Sequence, residues 1–285
     1  MCICEQGRSY AWGINQQGQL GIGLDSSMGV INNVSEPQLV MPPANGDQAA
    51  VNQSHIVSVA CGIAHTFYLH ANGSVSACGL NNYGQLGLRK TESASVFWVP
   101  TENYNNLHRL MYVPVHQGRS DIDIEAVRVT HIACGGAHTL VIDSDGALLS
   151  CGSNSCGQLG NGKLDDCDRF VVIDSAHKFA YCACGEEYSA AISQKRPGAE
   201  SDVFLWGLGI VGQIGDGNLE NRASPTKVLA LSGKDVEMLT CSQGQVLAVT
   251  RAGEVRWTLL LHHLNVLFFQ RLSFEAGMDV GASRR

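Results

Sequence analysis

Two histidines in this 285-residue chain share one short context, His65 in ACGIAHTFYL at 60–69 and His138 in ACGGAHTLVI at 133–142. A pair of imidazoles can move protons near neutral pH or ligate a metal. Two further copies of the phrase test that reading. ACGEEYSAAI at 183–192 carries Tyr188 in the same slot, and TCSQGQVLAV at 240–249 carries Gln245. No single chemistry survives all four, so the slot reads as architectural: a ring that packs while hydrogen-bonding a neighbouring turn. The eleven cysteines are treated the same way. Cys61, Cys134, Cys184 and Cys241 all fall at one motif position. The only close pairs are C-x-C, at Cys2/Cys4 and Cys182/Cys184, and zinc sites need paired C-x-x-C spacing. A reactive thiol needs an electropositive setting, and no Lys/Arg cluster longer than two occurs. GLGIVGQIG at 207–215 holds a Gly-x-Gly, but no helix follows it and a dinucleotide fingerprint requires one. The expectation is no catalytic residue, no metal and no cofactor.

The elements that carry these phrases repeat as well. AWGINQQGQLG at 11–21, ACGLNNYGQLG at 77–87, SCGSNSCGQLG at 150–160 and LWGLGIVGQIG at 205–215 share one frame. Its fixed points are Gly13, Gly18 and Gly21, then Gly79, Gly84 and Gly87, then Gly152, Gly157 and Gly160, then Gly207, Gly212 and Gly215. Between the two phrase types lie Asn72-Gly73, Asp145-Gly146 and Ala252-Gly253. VSVACG and VTHIACG are apolar and rich in β-branched residues, which suits buried strands. FYLHANGSVSACG then reads as strand, turn, strand, and Asn-Gly or Asp-Gly predicts a two-residue type I′ hairpin turn. The glycines of G-Q-L-G predict sharp turns or close backbone approach, with Leu or Ile plugging the core. Each copy thus predicts about four short strands, and such units repeating without a helical period predict β-propeller blades.

The linked motifs, A-C-G-x-x-H-T followed by D/N-G and then G-x-N-x-x-G-Q-L-G, resemble the repeat of the regulator of chromosome condensation family. The resemblance runs from about Glu5 to Trp257 and implies an all-β propeller with blades of four-stranded antiparallel sheets. Family members form seven-bladed rings. Four complete cassettes predict a partial structure here, an open arc of about four to five blades. Residues 1–257 are expected to form the repeats and 258–285 a non-repeat tail, derived from an alternative exon, read-through or a frameshift. An open arc exposes blade faces, so the chain is either a fragment or an arc completed by another chain.

Composition narrows the function. A formal charge of −7 argues against a basic surface that binds nucleic acid directly. No apolar run reaches the roughly 18 residues of a membrane span. An odd cysteine count and a start without a secretory signal point to an intracellular, cytoplasmic or nuclear compartment with free thiols. Loops on a stiff scaffold are where recognition belongs. Two candidate surfaces follow. Glu186 and Glu187 occupy the turn of the third copy, where Ile63-Ala64, Gly136-Ala137 and Gln243-Gly244 stand in the others. Phe97, Trp98, Tyr104, Met111 and Tyr112 lie in the longest link, residues 89–128, with the composition that protein interfaces favour. The expected function is a non-catalytic scaffold for a protein partner. The resemblance implies two alternatives. One is guanine-nucleotide exchange on a Ran-like small GTPase, where acidic residues and a histidine in such turns take part. The other is a propeller module related to those of HECT-type ubiquitin ligases.

Overall fold

Four hairpins in this chain close identically. Cys4, His70, Asp143 and Thr250 each accept the N–H of the glycine three residues on, Gly7, Gly73, Gly146 and Gly253, at 2.8–3.0 Å. The same four residues donate their own N–H one residue beyond that glycine, to Arg8, Ser74, Ala147 and Glu254. Gly73 and Gly146 have φ of 81° and 76°, while Asn72 and Asp145 do not enter the left-handed region. The turn is therefore type I followed by a left-handed glycine, in place of the type I′ turn expected from Asn-Gly. Only one position needs a positive φ, and this explains why Ala252-Gly253 serves as well as Asn72-Gly73.

The computed structural model describes residues 1–22, 33–40, 55–87, 108–110, 128–174, 176–195 and 200–257. The tail at 258–285 lies outside the described residues. Five antiparallel sheets follow one another along the chain. The first contains β1 (Cys2–Ile3), β2 (Ser9–Gly13) and β3 (Val34–Leu39). The second contains β4 (Ile56–Cys61), β5 (His65–His70), β6 (Val75–Gly79) and β7 (His108–Leu110). The third contains β8 (Val129–Cys134), β9 (His138–Asp143), β10 (Leu148–Gly152) and β11 (Cys167–Asp174). The fourth contains β12 (Phe179–Cys184), β13 (Tyr188–Ser193), β14 (Val203–Gly207) and β15 (Arg222–Lys227). The fifth contains β16 (Val236–Cys241), β17 (Val246–Thr250) and β18 (Val255–Trp257). The middle three have four strands and the first and last have three. Leu229–Leu231 form a single 3-10 turn, and there is no α-helix among the described residues.

Every sheet is a meander, and consecutive sheets stack face to face. The leading strands β4, β8, β12 and β16 contact one another in succession, as blades do around an axis. Hairpin carbonyls tie the stack at one end: Gly7, Gly73 and Gly146 accept from Ile56, Val129 and Phe179 at 2.8–3.1 Å. The hydrophobic core is divided into four clusters, each lying between two successive sheets. Side-chain alternation decides which neighbour a residue meets. Phe67 and Leu69 pack forward on the third sheet, and Leu140 and Ile142 pack forward on the fourth. Cys78 packs back on the first sheet, Leu149 and Cys151 on the second, and Phe204 and Trp206 on the third. Leu20, Leu86, Leu159 and Ile214, the plugs of the four G-Q-L/I-G cassettes, are all buried.

Two kinds of glycine make this stacking tight. A Cβ on Gly84 would lie 2.2 Å from Cα of Asp168, on the outer strand of the next sheet, and its φ is 80°. The glycine of A-C-G has no positive φ, but it too lies against backbone of the next sheet, a Cβ on Gly62 falling 2.5 Å from Gly135 O and one on Gly135 2.7 Å from Gly185 O. A Cβ there would strike the ring three residues on: His65 Cε1 at 2.2 Å from Gly62, His138 Cε1 at 2.1 Å from Gly135, Tyr188 Cε1 at 2.0 Å from Gly185. In the fourth copy the slot is Gln245, no ring is present, and the glycine is replaced by Ser242. Ser242 keeps the same turn, donating its N–H to Gln245 O at 2.9 Å. Gly135→Ala should therefore destabilise by about 1–3 kcal/mol through overpacking against His138. Ser242→Ala should stay within about 0.5 kcal/mol. Urea unfolding of the full chain checks both.

Candidate functional site

Strands 1 and 3 of the second to fifth sheets, and β2 of the first, end at the same edge, because neighbouring strands run antiparallel. The turns at 62–64, 135–137, 185–187 and 242–244 and the loops at 14–19, 80–85, 153–158 and 208–213 therefore share one face. Each loop is held by its own side chains. The Asn Oδ1 of Asn15, Asn81 and Asn154 accepts the N–H of Leu20, Leu86 and Leu159 at 2.9 Å. The Gln Oε1 of Gln19, Gln85, Gln158 and Gln213 accepts the N–H two residues before it, at 2.9–3.1 Å. All twelve cassette glycines have φ between 63° and 112°. Each loop is thus self-supporting, and its variable positions are displayed on a fixed frame.

The histidines lie beneath this surface. His65 Nε2 is 3.0 Å from Thr139 Oγ1, and His138 Nε2 is 2.9 Å from Ser189 Oγ, in each case on the following sheet. Those hydroxyls donate to Gln85 O and Gln158 O at 2.8 Å. A carbonyl only accepts, so each hydroxyl proton is committed to it, and His Nε2 must be the donor. Both rings therefore carry a proton on Nε2. Tyr188 differs: its hydroxyl donates to Gln245 O at 2.6 Å, and Val246 offers no hydroxyl. The histidine partner is thus a strand hydroxyl of the next blade, whereas the sequence suggested a neighbouring turn. Burial lowers the pKa of His65 to about 4, and burial with the nearby His65 lowers His138 to about 3. Both rings are thereby held neutral at neutral pH.

The thiols are no more reactive. Burial raises Cys61, Cys134 and Cys184 above the ordinary thiol range and pushes Cys241 up to about 12. Among the described residues no group of three or more His, Cys, Asp or Glu is placed to hold a metal ion.

What remains on the face is recognition chemistry. Gly136 N–H donates to Glu186 O at 2.9 Å, and Ile63 N–H points at Gly136 O at 3.4 Å, so three turns interlock. A Cβ on Gly136 would lie 3.1 Å from Glu186 Cγ and 3.3 Å from Ile63 Cδ1. Glu186 and Ile63 thus flank a bare stretch of backbone, with Glu186 half-buried and Glu187 exposed. On the same face Ile63 is 68% exposed, Ile210 58% and Tyr83 45%. Sequence reasoning did not select these three apolar residues. Their signal is that they fill variable positions in an otherwise repeated cassette. Phe97, Trp98, Tyr104, Met111 and Tyr112 lie outside the described residues. Gly87 and His108, which bound the link 88–107, are both at the loop-bearing edge, since His108 pairs with Ala77 near the end of β6.

Comparison with known proteins agrees with this architecture. The model of the regulator of chromosome condensation (RCC1) repeat matches residues 6–69, 72–142, 145–192 and 200–249. The human probable E3 ubiquitin-protein ligase HERC3 is 30% identical over 202 residues, 70% of this chain and 17% of that protein. The human E3 ubiquitin-protein ligase HERC2 is 26% identical over 259 residues, 90% of this chain and 5% of that protein. The chain thus spans less than a fifth of these curated relatives. Among solved structures, human WBSCR16 superposes with a TM-score of 0.68 at 22% identity, covering 87% of this chain and 56% of that one. Prp20p from Saccharomyces cerevisiae, whose structure was described with its binding properties to Gsp1p and histones, gives 0.60 at 22% identity, covering 84% and 51%.

The buried neutral histidines have a measurable consequence. Their native pKa values lie below the ordinary 6.5, so their contribution to stability is complete above pH 6.5. It is lost as pH falls toward about 4 for His65 and about 3 for His138. Between pH 6.5 and 4 each should contribute about 1.4 kcal/mol per pH unit to the loss. Denaturant titrations of wild type and the His65→Gln/His138→Gln double variant should show a flatter pH profile in the variant.

Proposed function

Since the chain belongs to the regulator of chromosome condensation repeat family, we propose that it is a non-catalytic propeller scaffold that binds a protein partner through its loop-bearing face. One contrast carries this reading. The groups with chemical potential, His65 and His138, are buried and neutral, while exposed Ile63, Tyr83 and Ile210 share the loop-bearing face with Glu186 and Glu187. Apolar anchors on a rigid support, edged by charge, suit association with a protein. Phe97, Trp98, Tyr104, Met111 and Tyr112 have the composition that protein interfaces favour and stay candidates for the same partner. All eleven cysteines are free, which supports a reducing cytoplasmic or nuclear setting.

Exchange on a Ran-like GTPase is the second reading, supported by the fold shared with Prp20p and its described binding to Gsp1p. Acidic Glu186 and Glu187 would then wedge against the nucleotide site. A third reading, a propeller module of a larger ubiquitin ligase, draws on the HERC relatives. The first two separate in one set of measurements. Affinity capture with the full chain should recover a protein partner, and Ile63→Asp should weaken that binding at least about fivefold, equivalent to about 1 kcal/mol. Labelled GDP on a Ran-like GTPase should be released no faster in its presence. Acceleration that Glu186→Ala with Glu187→Ala reduces would replace the scaffold reading with exchange.

A further inference from the structure

One apolar position recurs in two copies and yet reaches solvent. Residues 160–166 and 215–221 align one for one, and Leu164 matches Leu219. Leu164 is 59% exposed and Leu219 51%, and neither joins a core cluster. The recurring Leu or Ile of G-Q-L/I-G is buried, so packing accounts for it. Packing gives no reason for a leucine at 164 or 219. Two different braces produce the same display. In the third copy buried Asn154 donates from Nδ2 to Lys163 O at 2.9 Å and to Asp165 O at 3.0 Å, pinning the backbone on both sides of Leu164. In the fourth copy Gly209 replaces that Asn. Arg222 instead holds Asp216 at 2.7 Å and Glu220 at 3.1 Å, again on both sides of the leucine.

Backbone contacts join these loops into one stripe on the loop-bearing face. Each cassette loop rests on the start of the next sheet's outer strand. Gly84, beside Tyr83, lies so close to Asp168 that no Cβ would fit between them. Gly157 lies against Ala223 in the same way, and Gly162 N–H donates to Ala223 O at 2.8 Å. Gly209, beside Ile210, lies against Glu220 O. Tyr83, Leu164, Leu219 and Ile210 thus stand on segments that touch in succession across the second, third and fourth sheets. Glu187 adjoins them, its carbonyl accepting Leu208 N–H at 2.9 Å. The stripe is also acidic. Residues 153–169, 185–187 and 208–222 carry seven carboxylates and three cations. Arg222 and Arg169 are each held by carboxylates of their own segment, Asp216 with Glu220 and Asp168.

We propose that this stripe is a docking surface for a basic segment of a protein partner, one in which apolar side chains alternate with Lys or Arg. The inference rests on the scaffold reading above and adds the chemistry of the partner. Apolar side chains of the segment cover Leu164 and Leu219, and their burial drives the contact. Its cations meet Asp165, Glu187 and Glu220. Those carboxylates select the sign of the partner and speed its arrival, because an acidic segment of the same apolar pattern is repelled.

Fluorescence anisotropy with two labelled peptides tests this on the full chain. In one peptide leucines alternate with lysines, and in the other glutamates replace the lysines. The lysine peptide should bind at least about tenfold more tightly than the glutamate peptide. Leu164→Ser with Leu219→Ser should weaken it at least about fivefold while the unfolding midpoint is retained, since both side chains are exposed. Asp165→Asn with Glu187→Gln should weaken it and flatten its salt dependence. Leu229→Ser is the control. Leu229 is 76% exposed and follows β15 at the opposite edge of its sheet, so its replacement should leave binding unchanged. A wild type that binds neither peptide, or both alike, overturns the proposal. So does a leucine double variant that binds as wild type does, or a control that weakens binding equally. In those cases a captured partner that still depends on Ile63 leaves the scaffold reading in place. Absence of any captured partner removes that reading and the proposal with it.

Discussion

The structure depends on satisfying one buried carbonyl per blade. Gln19 O, Gln85 O and Gln158 O face the following sheet, and a buried carbonyl without a donor is costly. Thr66, Thr139 and Ser189 each supply a hydroxyl at 2.8 Å. A second donor comes from the third strand of the same following sheet: Cys78 Sγ, Cys151 Sγ or Trp206 Nε1. For Thr139 and Ser189 the His ring of the same preceding blade, His65 or His138, then clamps the hydroxyl from its other side. Gln and His of one blade thus hold one Thr or Ser of the next. Conservation of these letters between copies is therefore a property of the joint, and neither residue would have its partner in an isolated repeat.

That requirement separates architecture from display. The Gln, Thr, His and glycines are bound into joints, and the Asn and Gln side chains are spent on their own loop. Residues such as Ile63, Tyr83, Glu187 and Ile210 have no such duty, and they are the ones that reach solvent. Gly209 replaces the cassette Asn in the fourth copy, and its N–H is taken by Asn221 Oδ1 at 3.0 Å. Asn154 N–H in the third copy is taken by Asp166 Oδ1 at 2.9 Å in the same way. The loop following the fourth cassette is instead braced by Arg222, which holds Asp216 through Nε at 2.7 Å.

The joints also explain why one residue type takes different environments. Trp12 and Trp206 occupy the same motif slot, yet one is exposed and the other is wholly buried. Leu247 and Leu140 differ in the same way. Nothing local distinguishes the members of each pair. Among the described residues, the difference is whether a neighbouring sheet packs on that side.

The sequence by itself determined the repeat, the strand order within each blade, the buried Leu or Ile of G-Q-L/I-G and the absence of a shared chemistry at His65 and His138. These are legible because they are written locally, in alternation, turn glycines and recurrence. It suggested a turn type that the backbone did not adopt, since Asn-Gly fits two turns and only the twist of the paired strands selects one. It could not show that Gly62, Gly135 and Gly185 make room for a ring, or that Glu186 lies beside Ile63, 123 positions away. Tertiary structure decided those points, because each is a contact between residues that approach only when one sheet closes on the next.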